Sequence, residues 1–321
     1  MARGRSHPSS SPLITTLAGG VGAAKFLRGL ARKFDQSRLA VVVNTGDDER
    51  FYGLHVSPDV DTVIYTLAGV VNPATGWGLV GETFNALDAL GRLYGKPWFN
   101  LGDRDLATHL YRTERLAQGA TLTQITAELA QRFKVKAAIL PMSDEPVRTF
   151  VKLKGKAPLP FQEYFVRGRA RGAVEKIELR GAQEARVTPA ALAAIQRARA
   201  IVIAPSNPFV SIGPILALAG VREALAAVRE RVAAISPIVG GKTIKGPADK
   251  MMRGLGHEVS PLGVARLYRE IAGLFVVDVV DHRYLEPIRA LGMRAIATDT
   301  IMSDPDRAAA LAAVVSRALS V

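Results

Sequence analysis

Near the start of the chain four aspartates stand close together. Asp47 and Asp48 close the string Val43-Asn44-Thr45-Gly46-Asp47-Asp48. Asp59 and Asp61 follow in Ser57-Pro58-Asp59-Val60-Asp61-Thr62. Hard carboxylate oxygens suit Mg2+, which uses one or two carboxylates and completes its shell with phosphate and water. The same string also fits a helix start. Ser57 would be the N-cap, Pro58 the first helical residue, and Asp59 would complement the helix dipole. Capping accounts for Ser57 and Asp59 better than for Asp61. Asp48, Asp59 and Asp61 are therefore the candidate metal ligands, with capping as the competing reading of the same residues.

Upstream lies Leu17-Ala18-Gly19-Gly20-Val21-Gly22-Ala23-Ala24-Lys25, between an apolar run and a helical pattern. Glycines let backbone amides approach a phosphate closely, and a helix N-terminus adds positive potential. The string is not the dinucleotide fingerprint, because Lys25 stands where its third glycine would fall. Gly19, Gly20, Gly22 and Lys25 are candidates for phosphate contact. A second glycine string, Gly240-Gly241-Lys242-Thr243, nearly completes a P-loop. Ser236 occupies its first glycine position, however, and Gly246-Pro247 does not continue a helix. Lys242 and Lys245 either face an anionic ligand or are solvated.

Asp103, in Gly102-Asp103-Arg104-Asp105, either caps the next helix or contacts a ligand. Ser206, Asn207 and Ser211 either bind a base or phosphate or cap a helix near Pro214. The five histidines show no zinc spacing,. No Gly-x-Ser-x-Gly elbow is present, so a hydrolase triad has no support.

These residues need elements to hold them. Short β-branched runs at 13–17, 39–43, 137–140, 200–204, 232–235, 274–277 and 294–298 are each followed by a loop and mostly by a helical pattern. That alternation predicts an α/β fold, a mostly parallel Rossmann-like sheet with helices on both faces. Ligands in such sheets bind beyond the carboxyl ends of the strands, and there the Gly, Asn, Ser and Asp strings fall. Residues 1–11 read as a disordered tail and 12–321 as one domain. A helical insertion is expected at about 61–130, and a β-hairpin or small insertion at about 150–180.

The 321 residues are 48% hydrophobic and 22% charged, with no cysteine. That balance supports a sizeable core and excludes disulfides, thiolate metal sites and a cysteine nucleophile. The lack of cysteine fits a cytoplasmic protein. The uncharged stretch 200–221 is interrupted by prolines and reads as strand, loop and helix start, not a membrane span. A net charge of +13 with few aromatics points to anionic small substrates and away from nucleic acid.

Several strings occur here in one order: the first glycine loop, Asn44-Thr45-Gly46-Asp47-Asp48, Ser57-Pro58-Asp59-Val60-Asp61-Thr62, Leu101-Gly102-Asp103-Arg104-Asp105-Leu106-Ala107-Thr108-His109, Leu140-Pro141-Met142-Ser143-Asp144, Pro205-Ser206-Asn207-Pro208, Ser211-Ile212-Gly213-Pro214, Ser236-Pro237-Ile238-Val239-Gly240 and Asp299-Thr300-Ile301-Met302. The ordered set resembles the 2-phospho-L-lactate transferase family of coenzyme F420 biosynthesis, over about residues 12–315.

The resemblance implies a Rossmann-like core, a Mg2+ requirement and a homodimer. It also implies transfer of a phosphorylated three-carbon acid from a guanosine diphosphate-type donor to the deazaflavin Fo, with GMP leaving. By it Asp61 lies at the Fo and metal site, with Asn100 and Asp103 as further Fo contacts. Asn100 stands where the family often has a basic residue. Gly19, Gly20, Gly22, Lys25, Asn44, Thr45, Ser206, Asn207 and Ser211 are assigned to the nucleotide and its phosphates. Two rivals are a non-catalytic nucleotide-sugar-binding regulator of the related gluconeogenesis-factor family and an NAD-dependent dehydrogenase.

Overall fold

Each of the seven apolar runs forms a strand of one sheet in the computed structural model, which describes residues 13–321. The tail expected at 1–11 lies outside the described residues. The strands are β1 (Ile14–Ala18), β2 (Leu39–Val43), β3 (Ala138–Pro141), β4 (Ala200–Ile203), β5 (Val232–Ile235), β6 (Leu274–Asp278) and β7 (Arg294–Thr298). Their order is β3-β2-β1-β4-β5-β6-β7, and every pairing is parallel.

A parallel sheet is covered on both faces by its crossover connections. Successive strand residues point to opposite faces, and the core divides accordingly. Ile14, Val41 and Val43 pack with Phe26, Leu30 and Ile64; Leu17 and Val42 pack with Ile195 and Leu225. Helix α1 (Gly20–Lys33) touches the C-terminal helix Pro305–Ala318 at Gly29. A Cβ there would lie 2.2 Å from the Ala308 carbonyl oxygen, so only glycine allows that approach.

Strand order reverses between β1, which leads to β2 on one side, and β4 on the other. A crevice opens beyond the carboxyl ends of the strands at such a switch point. The insertions that wall it come from two connections. Between β2 and β3 run the hairpin Glu49–Phe51/Leu54–Val56 and helices α2 (Pro58–Leu67), α3 (Asn85–Tyr94), α4 (Asp103–Ala117) and α5 (Leu122–Arg132). Between β3 and β4 lies a three-stranded antiparallel sheet in the order Leu159–Pro160, Arg148–Leu153, Val174–Arg180. A π-helical segment, Glu163–Arg167, sits between its strands.

Lys242–Thr243 pairs with Ile238–Val239 as a hairpin. Gly240 and Gly241 turn it with φ of 58° and 78°, the left-handed conformation that a two-residue turn requires. No helix follows directly, so this glycine string is a turn and not a P-loop. The stretch 200–221 resolves into β4, a loop and the short helix Gly213–Ala217. Among the described residues no helix is long and apolar enough to cross a membrane.

Candidate active site

The glycine loop leaves β1 and enters α1 directly, with Gly19 at the N-cap and no side chain of its own to cap the helix. The cap comes from α2: Asp59 Oδ1 accepts the Gly20 N–H at 2.8 Å. The amides of Val21 and Gly22 remain beyond reach of any carbonyl in their own helix. The loop is closely packed. A Cβ on Gly22 would lie 2.6 Å from the Pro205 carbonyl oxygen, and one on Gly19 would lie 2.7 Å from Ser211 Cβ. Ser206 Oγ donates to the Gly19 carbonyl at 2.8 Å. The loops after β1 and β4 thus brace each other across the switch point.

A cavity of about 560 Å3 opens over this junction. Gly19, Gly20, Gly22, Lys25, Asp59, Asp61, Asn100, Ser206, Asn207 and Ser211 all line it. Asn44, Thr45, Asp48 and Asp103 do not. Asn44 is fully buried beneath the floor, where it donates to Asp59 Oδ2 at 2.9 Å and to the Val210 carbonyl, and accepts from Gly46 N–H. It ties the loops after β2 and β4 to the start of α2. Thr45 is buried beside it with an unpartnered hydroxyl. Asp48 lines a small separate recess with Arg148 and Gln162.

Two capping expectations are corrected. Ser57 is the N-cap of α2, but its hydroxyl makes no cap bond; it hydrogen-bonds both oxygens of Asp48, at 2.7 and 2.8 Å. Donating to Asp48 turns the hydroxyl away from the first-turn amides, from which a capping oxygen would have to accept,. Asp103 is the first residue of α4, after Gly102 as N-cap. Its carboxylate accepts from Thr83, Asn85 and Ala86, which fixes the entry to α3. These bonds, that from Thr83 first, hold the Asp103 carboxyl down at about 2.

Asp61 is the acid best placed for chemistry. It is 4% exposed and pairs through Oδ1 with the fully buried guanidinium of Arg112. Its Oδ2 has no hydrogen-bond partner. Burial raises the Asp61 carboxyl above its ordinary range, although Arg112 and His109 pull it the other way. Around it α4 presents a group that sequence reasoning left unassigned. Asp61, Asp105 and His109 each offer an atom within 4.8 Å of the others. Tyr65, one turn along α2, bonds Asp105 Oδ1 through its hydroxyl at 2.6 Å.

Burial also raises Asp47 and Asp48 and raises Asp59 to about 6. Desolvating several carboxylates in one place is unfavourable without a compensating cation. The positions 105, 109 and 112 lie on one face of a helix at i, i+4 and i+7. That spacing was legible in the sequence. What it could not show is that this face meets Asp61.

The rest of the cavity is divided by chemistry. Lys25 and Lys245 line it, and neither forms an ion pair among the described residues. Lys245 donates to the Thr75 carbonyl at 2.7 Å, which joins the loop before α3 to the loop after the small hairpin. Lys242, its companion in the glycine string, does not line the cavity. Phe161 and Phe165 stack with centroids 5.5 Å apart, and with Trp77 and Phe99 they form flat apolar wall.

Comparison with known proteins matches this chain, over residues 14–316, to the family described as 2-phospho-L-lactate transferase CofD. A phosphoenolpyruvate transferase of Streptomyces griseus is 44% identical, over 93% of this chain and 96% of that protein. A 2-phospho-L-lactate transferase of Methanosarcina mazei is 38% identical, over 94% of this chain and 98% of that protein. A crystal structure of a Bacillus halodurans protein shares the fold at a TM-score of 0.62 and 18% identity, covering 95% of this chain and 99% of that one. With the family matched over nearly the whole described fold, and with relatives of this identity along their full length, the chain belongs to the 2-phospho-L-lactate transferase CofD family.

Proposed function

We propose that this transferase moves a phosphorylated three-carbon acid from a guanosine diphosphate-type donor to the terminal ribityl hydroxyl of Fo in F420 biosynthesis. The acid is phosphoenolpyruvate, 2-phospho-L-lactate or phosphoglycerate, and the product is F420-0 or its dehydro form. The observation that carries the reading is Asp61, a buried carboxylate with one oxygen held by Arg112 and the other unpartnered in the wall of the cavity.

The amides of Val21 and Gly22, with Lys25, bind the donor's phosphate oxygens. Ser206, Asn207 and Ser211 shape the nucleotide side of the cavity. Phe161, Phe165, Trp77 and Phe99 offer flat apolar surface to the deazaflavin ring, with Asn100 at the Fo side. The ribityl oxygen attacks the phosphorus bearing the acid, and Asp61 takes its proton. The bond from that phosphorus to the bridging oxygen breaks, and GMP leaves with the electron pair. A carboxylate placed at the attacking hydroxyl can serve as its general base. Such transfers rest on positioning and charge neutralisation more than on covalent catalysis.

The residues fit Mg2+, because the unpartnered buried oxygen of Asp61 lies beside the Asp105 carboxylate. Asp61 and Asp105 would hold the ion, while Asp48 and Asp59 are engaged by Ser57, Gly20 and Asn44. When bound, Mg2+ supplies positive charge to the oxygens of the transferred phosphoryl group. A homodimer and a cytoplasmic location complete the proposal, on the family resemblance. The test is Fo fluorescence titrated with protein, with and without Mg2+. Saturable binding of Fo supports the reading; binding of a uridine nucleotide-sugar and not of Fo would favour a non-catalytic regulator.

A further inference from the structure

Among the described residues Arg112 is the largest fully buried side chain, and it does not itself line the cavity. Its guanidinium reaches three groups: Asp61 Oδ1, the His55 carbonyl at 3.4 Å and His109 Nδ1 at 3.3 Å. A guanidinium has five N–H donors and no acceptor, and it stays protonated in proteins. Its contact with His109 is therefore a hydrogen bond only if Nδ1 carries the lone pair. Asp61 Oδ2 lies 3.7 Å from the same nitrogen, too far for it to receive a proton from Nδ1 in a hydrogen bond. The ring proton then belongs on Nε2, which lies 3.4 Å from Asp105 Oδ2 without closing a hydrogen bond.

We propose that Arg112 is a positioning residue that fixes His109 as the Nε2–H tautomer and thereby withholds the imidazole from metal ligation. Nδ1 is covered by the guanidinium, and Nε2 carries a proton. The group of Asp61, Asp105 and His109 is thus reduced to two carboxylates. Nitrogen ligands favour Zn2+ and its neighbours, whereas carboxylate with water and phosphate suits Mg2+. Arg112 sets the choice between them without touching the ion. The same guanidinium holds Asp61 Oδ1, so Oδ2 is left for the ligand side. This inference rests on the Mg2+ reading given above for its cation and on local geometry for its tautomer.

The two parts separate in one experiment. The full-length protein is labelled with 15N-histidine, and His109 is assigned by loss of its signals in His109→Gln. Two-bond proton–nitrogen correlations then report which ring nitrogen is protonated, before and after Mg2+ is added, while calorimetry follows Mg2+ and Zn2+ binding. The expected result is a protonated Nε2 and a bare Nδ1, unchanged by Mg2+ that binds. In Arg112→Met the tautomer preference is lost, Zn2+ binds about 10-fold tighter and Mg2+ about 10-fold weaker, the scale on which outer partners act on metal sites. A protonated Nδ1 in the metal-free wild-type protein, or loss of the Nε2 proton on adding Mg2+, overturns the proposal even if Arg112→Met does not fold. An Nε2–H tautomer with no Mg2+ binding overturns the metal reading beneath it and with it the cation preference.

Discussion

The carboxylate of Asp59, in the first turn of α2, accepts the backbone N–H of Gly20, the first residue of α1, at 2.8 Å. One helix therefore caps another, and the glycine loop is held by an acid from a different connection. Asp59 Oδ2 is held in turn by Asn44. Asp59→Ala removes the cap and one partner of a buried amide. It should destabilise the protein by about 1–2 kcal/mol, read as a lower urea midpoint, and weaken nucleotide binding. An unchanged midpoint would show that the cap is not structural.

Asp61→Asn keeps the size of the side chain and removes its ability to take a proton. Transfer should fall at least ~100-fold, the low end of what a general base contributes, with circular dichroism unchanged. Near-normal turnover in the folded variant would remove Asp61 from its assigned role.

Gly22→Ala would place a Cβ 2.6 Å from the Pro205 carbonyl oxygen. Because the clash is with backbone, α1 and the loop after β4 must separate. The expected cost is about 1–3 kcal/mol of stability, together with a raised KM for the donor and a smaller change for Fo. Equal effects on both substrates would argue against a phosphate role for this loop.

His55 gives a pH signature. Burial first, then the Arg112 charge, lowers its imidazole from 6.5 to about 4. At neutral pH it is uncharged, so its 3.7 Å approach to Asp48 is not an ion pair. Between pH 6.5 and 4 the unfolded chain takes up a proton that the folded protein refuses. Stability from this group is full above 6.5 and falls as pH drops to 4, by roughly 3 kcal/mol. Urea melts across that range should show a shallower loss in His55→Gln than in the wild-type protein.

All seven sheet strands could be read from the sequence, because buried parallel strands are short, nearly continuous apolar runs. The phosphate end of the cavity could be read too, since its glycines and its Ser206–Ser211 loop lie at strand ends. The roles of Asp48, Ser57 and Asp103 were less legible. Each has a partner distant in sequence or in another element, and a capping pattern cannot say whether a hydroxyl turns to the helix amides or donates to a carboxylate elsewhere. Asp105, His109 and Arg112 shared a helix face in plain view. Their meaning depended on α4 packing beside α2, a tertiary fact with no local signature.

The most direct measurement of the transfer is mass spectrometry of the protein incubated with Fo, Mg2+ and guanosine diphosphate-type donors of each three-carbon acid. The expected product is a phosphodiester between Fo and one of the acids, formed in equal amount with GMP and absent in Asp61→Asn. Release of GDP, or consumption of donor with no Fo adduct, would contradict that transfer.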